Sequence, residues 1–212
     1  MITDKNVSDY IDSLYSNTDD LLEALRLKAE GENIPVIRRQ TEGFIKSLLL
    51  LKKPEEILEI GSGVGYSAIV MAMALPDPHI TTIENYPPRI EAAKKNIENA
   101  GLKERIELIE EDAENVLGRL KGPYDFIFLD GPKGQYGAFL CELIRLLDKG
   151  GVLLCDNVLQ GGDTARSRYA VERRDRTIHE RMRAFLFEIT HTDELETSIL
   201  SIGDGMSLSI KL

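Results

Sequence analysis

The chain has 212 residues, a length for one domain or a domain with a small cap, and enough to bury a core without staples. Lys+Arg number 26 against 36 Asp+Glu, a net charge of -10, which argues against a generally basic nucleic-acid coat or an anionic-membrane binder but leaves room for a local basic patch. Hydrophobic content is 42%, as in globular chains, and two cysteines, Cys141 and Cys155, sit in apolar runs and read as buried, reduced thiols of a cytoplasmic protein with neither leader nor membrane span.

Residues 7–29 carry apolar positions at helical spacing (Ile11, Leu14, Tyr15, then Leu21, Leu22, Leu25). Ser16-Asn17-Thr18-Asp19 interrupts them, so two helices are expected. Gly31 to Pro35 reads as a turn, and a helix over 40–51 ends at Lys52-Lys53-Pro54. The pattern then changes. Glu56-Ile57-Leu58-Glu59-Ile60 predicts a buried strand, 61–65 a tight turn and 66–75 a helix. Strands over 79–84, 105–109, 124–130 and 151–156 alternate with helices over 88–100, 113–120 and 136–147. That alternation predicts a parallel sheet covered by helices on both faces, joined by right-handed crossovers. A long helical stretch follows over 170–189, then strands over 195–202 and 206–212 around Gly203-Asp204-Gly205, a hairpin signal. The expected architecture is a doubly wound α/β fold with a mostly parallel seven-stranded sheet and an antiparallel C-terminal hairpin. Residues 1–50 form a helical cap in this reading, and 51–212 one compact unit.

The turn Glu59-Ile60-Gly61-Ser62-Gly63-Val64-Gly65 follows a strand and opens a helix, the context of a nucleotide-binding turn. Its third glycine comes one position early for a dinucleotide fingerprint, and the Glu59 carboxylate would repel a pyrophosphate but suits a cationic ligand or an amino group. Glu84 ends the second strand about 20 residues on, where an acid can accept both hydroxyls of a ribose. Together they suggest an adenosine-containing ligand without a pyrophosphate. Asp130 ends the fourth strand, and Asp156 and Asn157 end the fifth. Neighbouring strands lie about 4.8 Å apart, so three oxygen ligands on adjacent strand ends can converge on one hard cation. Two carboxylates and an amide favour Mg²⁺ or Mn²⁺ over Zn²⁺. Lys133, three residues after Asp130, is placed to serve as a general base, with a pKa lowered by a nearby dication.

These motifs resemble the metal-dependent class I O-methyltransferases of the catechol and caffeoyl-CoA type. The resemblance runs through Glu59-x-Gly61-x-x-x-Gly65-Tyr66-Ser67, Glu84, Asp130-x-x-Lys133 and Asp156-Asn157, over nearly the whole chain from about Ile34. It implies the Rossmann-like class I methyltransferase fold, S-adenosylmethionine as methyl donor, Mg²⁺ or Mn²⁺, and a homodimer. It implies that Gly61, Tyr66 and Ser67 hold the methionine part of the donor, with Glu59 and Gly63 also among the donor-binding residues, that Glu84 binds its ribose, and that Asp112 and Ala113 flank its adenine. It also implies that the Val36-Ile37 segment, with Ile37, touches the donor, through a looser motif. By the same resemblance Asp130, Asp156 and Asn157 would hold the metal, with Asp130 also near the donor, and Lys133 would take the proton. One departure is Gly131-Pro132, where relatives often carry two alanines; it spares the ligands but changes the acceptor floor. Within the family the likeness is strongest to the bacterial enzymes that methylate 5-hydroxyuridine in tRNA. It includes Lys133-Gly134-Gln135-Tyr136, Asp156-Asn157-Val158-Leu159, an arginine-rich stretch and Ile202-Gly203-Asp204-Gly205. The C5 hydroxyl and C4 carbonyl of that base form a chelating oxygen pair, as in a catechol.

The arginine-rich stretch, 165–183, holds seven arginines against three acids, a basic patch that suits tRNA phosphates or a solvated helix face. His79, His179 and His191 are scattered and read as structural or surface residues. Aromatic content is 6% with no Trp, so no stacking platform is evident, although Tyr136 or Tyr169 is available to stack on one flipped base. The expected activity is methyl transfer from S-adenosylmethionine to a hydroxyl, with wobble 5-hydroxyuridine in tRNA as acceptor or, alternatively, a small catechol-like molecule. Two rivals are a nicotinamide-dependent dehydrogenase and a non-catalytic RNA-binding module. The early third glycine opposes the first, and the intact Asp130, Lys133, Asp156, Asn157 set opposes the second.

Overall fold

The computed structural model describes residues 3–15 and 19–212. Its strands form a seven-stranded, mostly parallel sheet in the order β3-β2-β1-β4-β5-β7-β6, with an antiparallel hairpin at the carboxyl end. The chain divides into two compact units, Lys5–Ala113 and Met1–Asp4 with Glu114–Leu212. The division falls between Ala113 and Glu114, and the amino-terminal helices belong to the first unit.

In the first unit, α1 (Lys5–Leu14) and α2 (Asp20–Gly31) are the two expected amino-terminal helices. Of the expected break between them, Ser16, Asn17 and Thr18 lie outside the described residues, while Asp19 caps α2 by accepting from the Leu21 and Leu22 amides at 2.9 and 3.1 Å. Helix α3 (Arg39–Lys52) stops at Lys53, which adopts the left-handed conformation at φ 51° just before Pro54. Strand β1 (Glu56–Ile60) is buried on both faces from Ile57 onward, as a parallel strand under helices must be. It pairs in register with β2 (His79–Ile83), which pairs with β3 (Ile106–Ile109), all parallel. Helix α4 (Tyr66–Ala74) is apolar all round, and seven of its residues are buried against α2, α3, α5 (Pro87–Asn99) and the sheet. Pro87 opens α5, where its fixed φ suits a first helical turn.

In the second unit, α6 (Ala113–Val116) runs on from the last residue of the first and passes into a 3-10 turn. Strand β4 (Tyr124–Leu129) pairs in parallel with β5 (Leu147–Cys155). Helix α7 (Tyr136–Leu146) links them and packs on α8 (Arg176–His191) through an edge-to-face contact of Tyr136 with Phe185 at 5.5 Å. Strands β6 (Leu195–Leu200) and β7 (Met206–Lys211) form the expected hairpin, and β7 also pairs with β5.

Three expectations are corrected. Strand β5 begins at Leu147, not Gly151: Asp148, Lys149 and Gly150 form an irregular entry where the register shifts between Tyr124 and Phe126. Helix α8 begins at Arg176, six residues late, because 165–175 is spent on turns, one capped by the Ser167 hydroxyl. Of the two thiols only Cys155 is buried, which pushes its pKa up to about 12, whereas Cys141 is exposed. Among the described residues no helix is long and apolar enough to cross a membrane.

Candidate functional site

The glycine turn is tied down from below. The amides of Gly61 and Ser62 both donate to the Ile83 carbonyl at the end of β2, at 3.0 and 3.1 Å. Gly63 and Gly65 take φ values of 53° and 81°, left-handed conformations that glycine adopts without strain. A Cβ on Gly63 would meet nothing within 4 Å, so this stretch of backbone is open to a ligand. Gly65 leads directly into Tyr66 and Ser67 in the first turn of α4, an amino terminus whose N–H groups face forward.

Glu84 is folded onto this turn. One carboxylate oxygen accepts from the Gly63 amide at 2.9 Å and the other from the Asn85 and Tyr86 amides at 3.0 Å. A carboxylate has about four acceptor sites, so Glu84 both shapes the turn and keeps acceptor capacity for a hydroxyl. Asn85 donates to Asp112 at 2.7 Å, which brings Asp112, next to the buried Ala113, alongside the end of β2.

Glu59 is wholly buried near the end of β1. Its Oε2 accepts from the Thr82 hydroxyl at 2.5 Å, and its Oε1 has no hydrogen-bond partner. Burial is the main cause that pushes its pKa up to about 7; the nearby charge of Glu84 adds to this, and the hydroxyls of Ser67 nearby and of the bonded Thr82 oppose it. The Ser62 hydroxyl is also buried and unpartnered. Orphaned acceptors under an open glycine turn fit a ligand that brings its own donors, such as an amino group.

Tyr66 opens α4 directly after the turn. Its hydroxyl donates to Glu42 at 2.7 Å and accepts from Arg26 at 3.0 Å, inside the protein. What Tyr66 offers a ligand is therefore its ring or its backbone. Ile37 is buried, and its carbonyl accepts from Arg26 at 2.9 Å. Neither Arg26 nor Glu42 stood out in the sequence. A lone Arg and a lone Glu on two helices give no signal until those helices meet.

In the second unit, Leu129 and Cys155 are register partners, so Asp130 and Asp156 leave adjacent strand ends side by side. The Asp156 amide donates to the Leu129 carbonyl at 3.0 Å, continuing the ladder one step. The Asp156 carboxylate accepts from the Asn157 amide at 2.6 Å, and Asn157 takes φ 59°. Asn is one of the few residues that tolerates that conformation. Asp156 is buried, Asp130 and Asn157 half-buried. Lys133 opens a 3-10 turn, Lys133–Gln135, held by the Gln135 amide on the Pro132 carbonyl at 2.8 Å. Arg181 of α8 donates to Gly134 at 3.2 Å and fixes the far side of that turn.

Tyr136 is a correction. It is fully buried and presents no ring to a base. Its hydroxyl reaches the carbonyls of both Leu129 and Asp156, at 3.2 and 3.1 Å, and so holds the two strand ends together. Burial, reinforced by Asp130, Cys155 and Asp156, keeps that hydroxyl protonated far above its usual range.

Among the described residues no three His, Cys, Asp or Glu side chains gather as a metal cluster. The expected set has two carboxylates and the Asn157 amide. Its oxygens are the donor chemistry of a hard dication, and the paired strand ends bring their carriers into one loop cluster.

Most of the arginine-rich stretch is engaged within the protein. Arg166 pairs with Asp163 at 3.1 Å, Arg168 with Glu180 at 3.5 Å and Arg174 with Glu172 at 3.0 Å. Arg176 and Arg183 donate to the carbonyls of Val171 and Thr164. Arg173 is exposed, and Tyr169 is 85% exposed with Arg176 5.9 Å from its ring. His179 is buried against the Arg166 carbonyl, His79 lies near Glu56, and His191 stacks on Phe187, as structural and surface residues do.

A family model described as O-methyltransferase matches residues 12–212. A catechol O-methyltransferase of Niastella koreensis is 33% identical over 165 residues, covering 74% of this chain and 75% of the relative. A catechol O-methyltransferase of Mycobacterium tuberculosis is 31% identical over 161 residues, with 74% and 73% covered. Among solved structures, the O-methyltransferase from Bacillus cereus in complex with SAH superimposes with a TM-score of 0.86 at 25% identity, covering 100% of both chains. The SAH-bound Podospora anserina methyltransferase PaMTH1 gives 0.85 at 26% identity, with 98% and 94% covered.

Proposed function

Because the chain belongs to the O-methyltransferase family and is an S-adenosylmethionine-dependent O-methyltransferase, we propose that it methylates one of two neighbouring oxygens on its acceptor with the help of a hard divalent cation. The observation that carries this reading is the pairing of the β4 and β5 ends, which sets Asp130 beside Asp156 and Asn157.

In this reading Glu59, Gly61, Gly63, Tyr66 and Ser67 seat the methionine part of the donor, Glu84 takes the ribose, and Asp112 and Ala113 border the adenine. Asp130, Asp156 and Asn157 would hold Mg²⁺ or Mn²⁺, which when bound would lower the pKa of an acceptor hydroxyl. Lys133 accepts the hydroxyl proton. The resulting oxyanion attacks the sulfonium methyl in line, the carbon–sulfur bond breaks, and the thioether product leaves. A cation and an anion neutralise each other in that step, so the protein contributes chiefly orientation.

The acceptor we favour is wobble 5-hydroxyuridine of tRNA, whose O5 and O4 form the required pair. Support comes from the exposed Arg173 and Tyr169 in the 165–183 stretch. A second reading, a small catechol-like acceptor, is favoured by the names of the relatives above and by how many of those arginines are occupied internally.

One experiment tests both the reaction and the acceptor. Purified protein with labelled donor is offered undermodified tRNA and, separately, a catechol, with and without a chelator. Methylation abolished by chelator and restored by Mg²⁺ is expected, with the label in 5-methoxyuridine. Asp156→Ala is expected to lower turnover about 1,000-fold or more while donor affinity stays within about threefold. Chelator-resistant turnover contradicts the metal reading, and label transferred to catechol alone selects the second acceptor.

A further inference from the structure

Arg26 sits in the middle of α2 and is 3% exposed. A guanidinium stays charged at any ordinary pH, so burying one is costly unless its N–H groups are matched. Here the buried Nε has no hydrogen-bond partner, but one Nη donates to the Ile37 carbonyl at 2.9 Å. The other donates to Glu42 Oε2 at 2.8 Å and to the Tyr66 hydroxyl at 3.0 Å. The Arg26 Cζ lies over the Tyr66 ring, 4.8 Å from the ring centre. Tyr66 in turn donates to the same Glu42 oxygen at 2.7 Å, and Lys46 holds the other at 2.5 Å. These bonds pull the Glu42 pKa down against the effect of burial.

A well-packed apolar side chain commonly stabilises such a position as well as a buried ion pair does. The network does something an apolar contact would not. It fixes the direction of one loop carbonyl and of the first side chain of α4. Both belong to residues of the donor seat, Ile37 and Tyr66, and Tyr66 directly follows the glycine turn.

We propose that Arg26 is a positioning residue for the methyl donor, holding the Ile37 backbone and the first turn of α4 in the conformation the donor requires before it arrives. This rests on the assignment of Ile37 and Tyr66 to the donor seat. A seat ordered in advance spares the ligand the entropy of ordering it. Loss of Arg26 should therefore weaken donor binding rather than slow the chemical step.

The test compares Arg26→Met combined with Glu42→Gln, which removes both charges together and leaves no lone ion buried, with wild type and with Arg26→Lys. Donor Kd is measured by titration with S-adenosylmethionine and with its product, alongside steady-state kinetics and the melting temperature. Expected for the double variant are a donor Kd and KM raised about tenfold or more, kcat at saturating donor within about threefold, and an unchanged acceptor KM. Arg26→Lys keeps the charge opposite Glu42 but loses the forked geometry and should fall between. A folded variant whose donor Kd is within about twofold of wild type, or one that loses kcat with donor KM unchanged, overturns the proposal. If the double variant does not fold, Arg26→Lys decides: a donor Kd raised about threefold or more with kcat retained is expected, and a donor Kd within about twofold of wild type overturns the proposal. Wild type that binds no donor in the same titration overturns the donor-seat assignment itself.

Discussion

Burial makes Glu59 a weak acid. Its carboxyl, ordinarily ionised above pH 4.5, holds its proton up to about pH 7 in the donor-free fold. The unfolded chain ionises first as pH rises, so this residue's contribution to stability is complete below about 4.5 and is lost as pH climbs through about 7. Glu59→Gln cannot titrate and should escape that loss. Denaturant unfolding at pH 5 and pH 8 should show wild type falling relative to Glu59→Gln by on the order of 3 kcal/mol; parallel behaviour would contradict the assignment. An acid half-protonated at neutrality, with one oxygen unpartnered, is also poised to ionise when a cationic ligand arrives. The sequence showed that a carboxyl stands before the glycine turn. It did not show that the carboxyl keeps its proton up to about pH 7, because that follows from burial between strands and helices distant in the chain.

At the scale of elements, the ends of β4 and β5 act as one piece because Tyr136, on the following helix, bonds to both. Tyr136→Phe removes only that hydroxyl. It should cost about 1 kcal/mol of stability and weaken metal affinity about 10-fold or more, read by isothermal titration with Mn²⁺; unaltered metal affinity would show that the strand ends need no clamp. The arginine-rich segment is a harder case. Arg173→Glu with Arg174→Glu should weaken tRNA binding and flatten its salt dependence while a small catechol is methylated at the wild-type rate. If tRNA binding is unmoved, the segment is a solvated face. Strand and helix identities were readable because short apolar runs buried on both faces mark the parallel strands and period 3.6 marks the helices. The start of β5 was not, since Asp148-Lys149-Gly150 looks like a loop and is paired only through a register shift. Nor was the start of α8, where arginines and acids support turns as readily as a helix. Tyr136 and Arg26 were misread or missed for one reason: their partners lie 7 to 40 positions away.

For the molecule as a whole, alternation of strand and helix was sufficient to name the fold class, and the seven-stranded sheet with its terminal hairpin follows that expectation. The division between Ala113 and Glu114 had no compositional marker, since Asp112-Ala113-Glu114 resembles any polar connection. The chain is acidic overall, so a hard cation and a cationic donor are the ligands its charge favours. The central claim is that Asp130, Asp156 and Asn157 share one such ion. The most direct test is a crystal grown with Mn²⁺ and S-adenosylhomocysteine, with data collected for anomalous scattering. The account predicts one manganese peak within about 2.1–2.3 Å of an oxygen from each of the three side chains. A peak elsewhere, or those side chains turned apart with no ion among them, would contradict it.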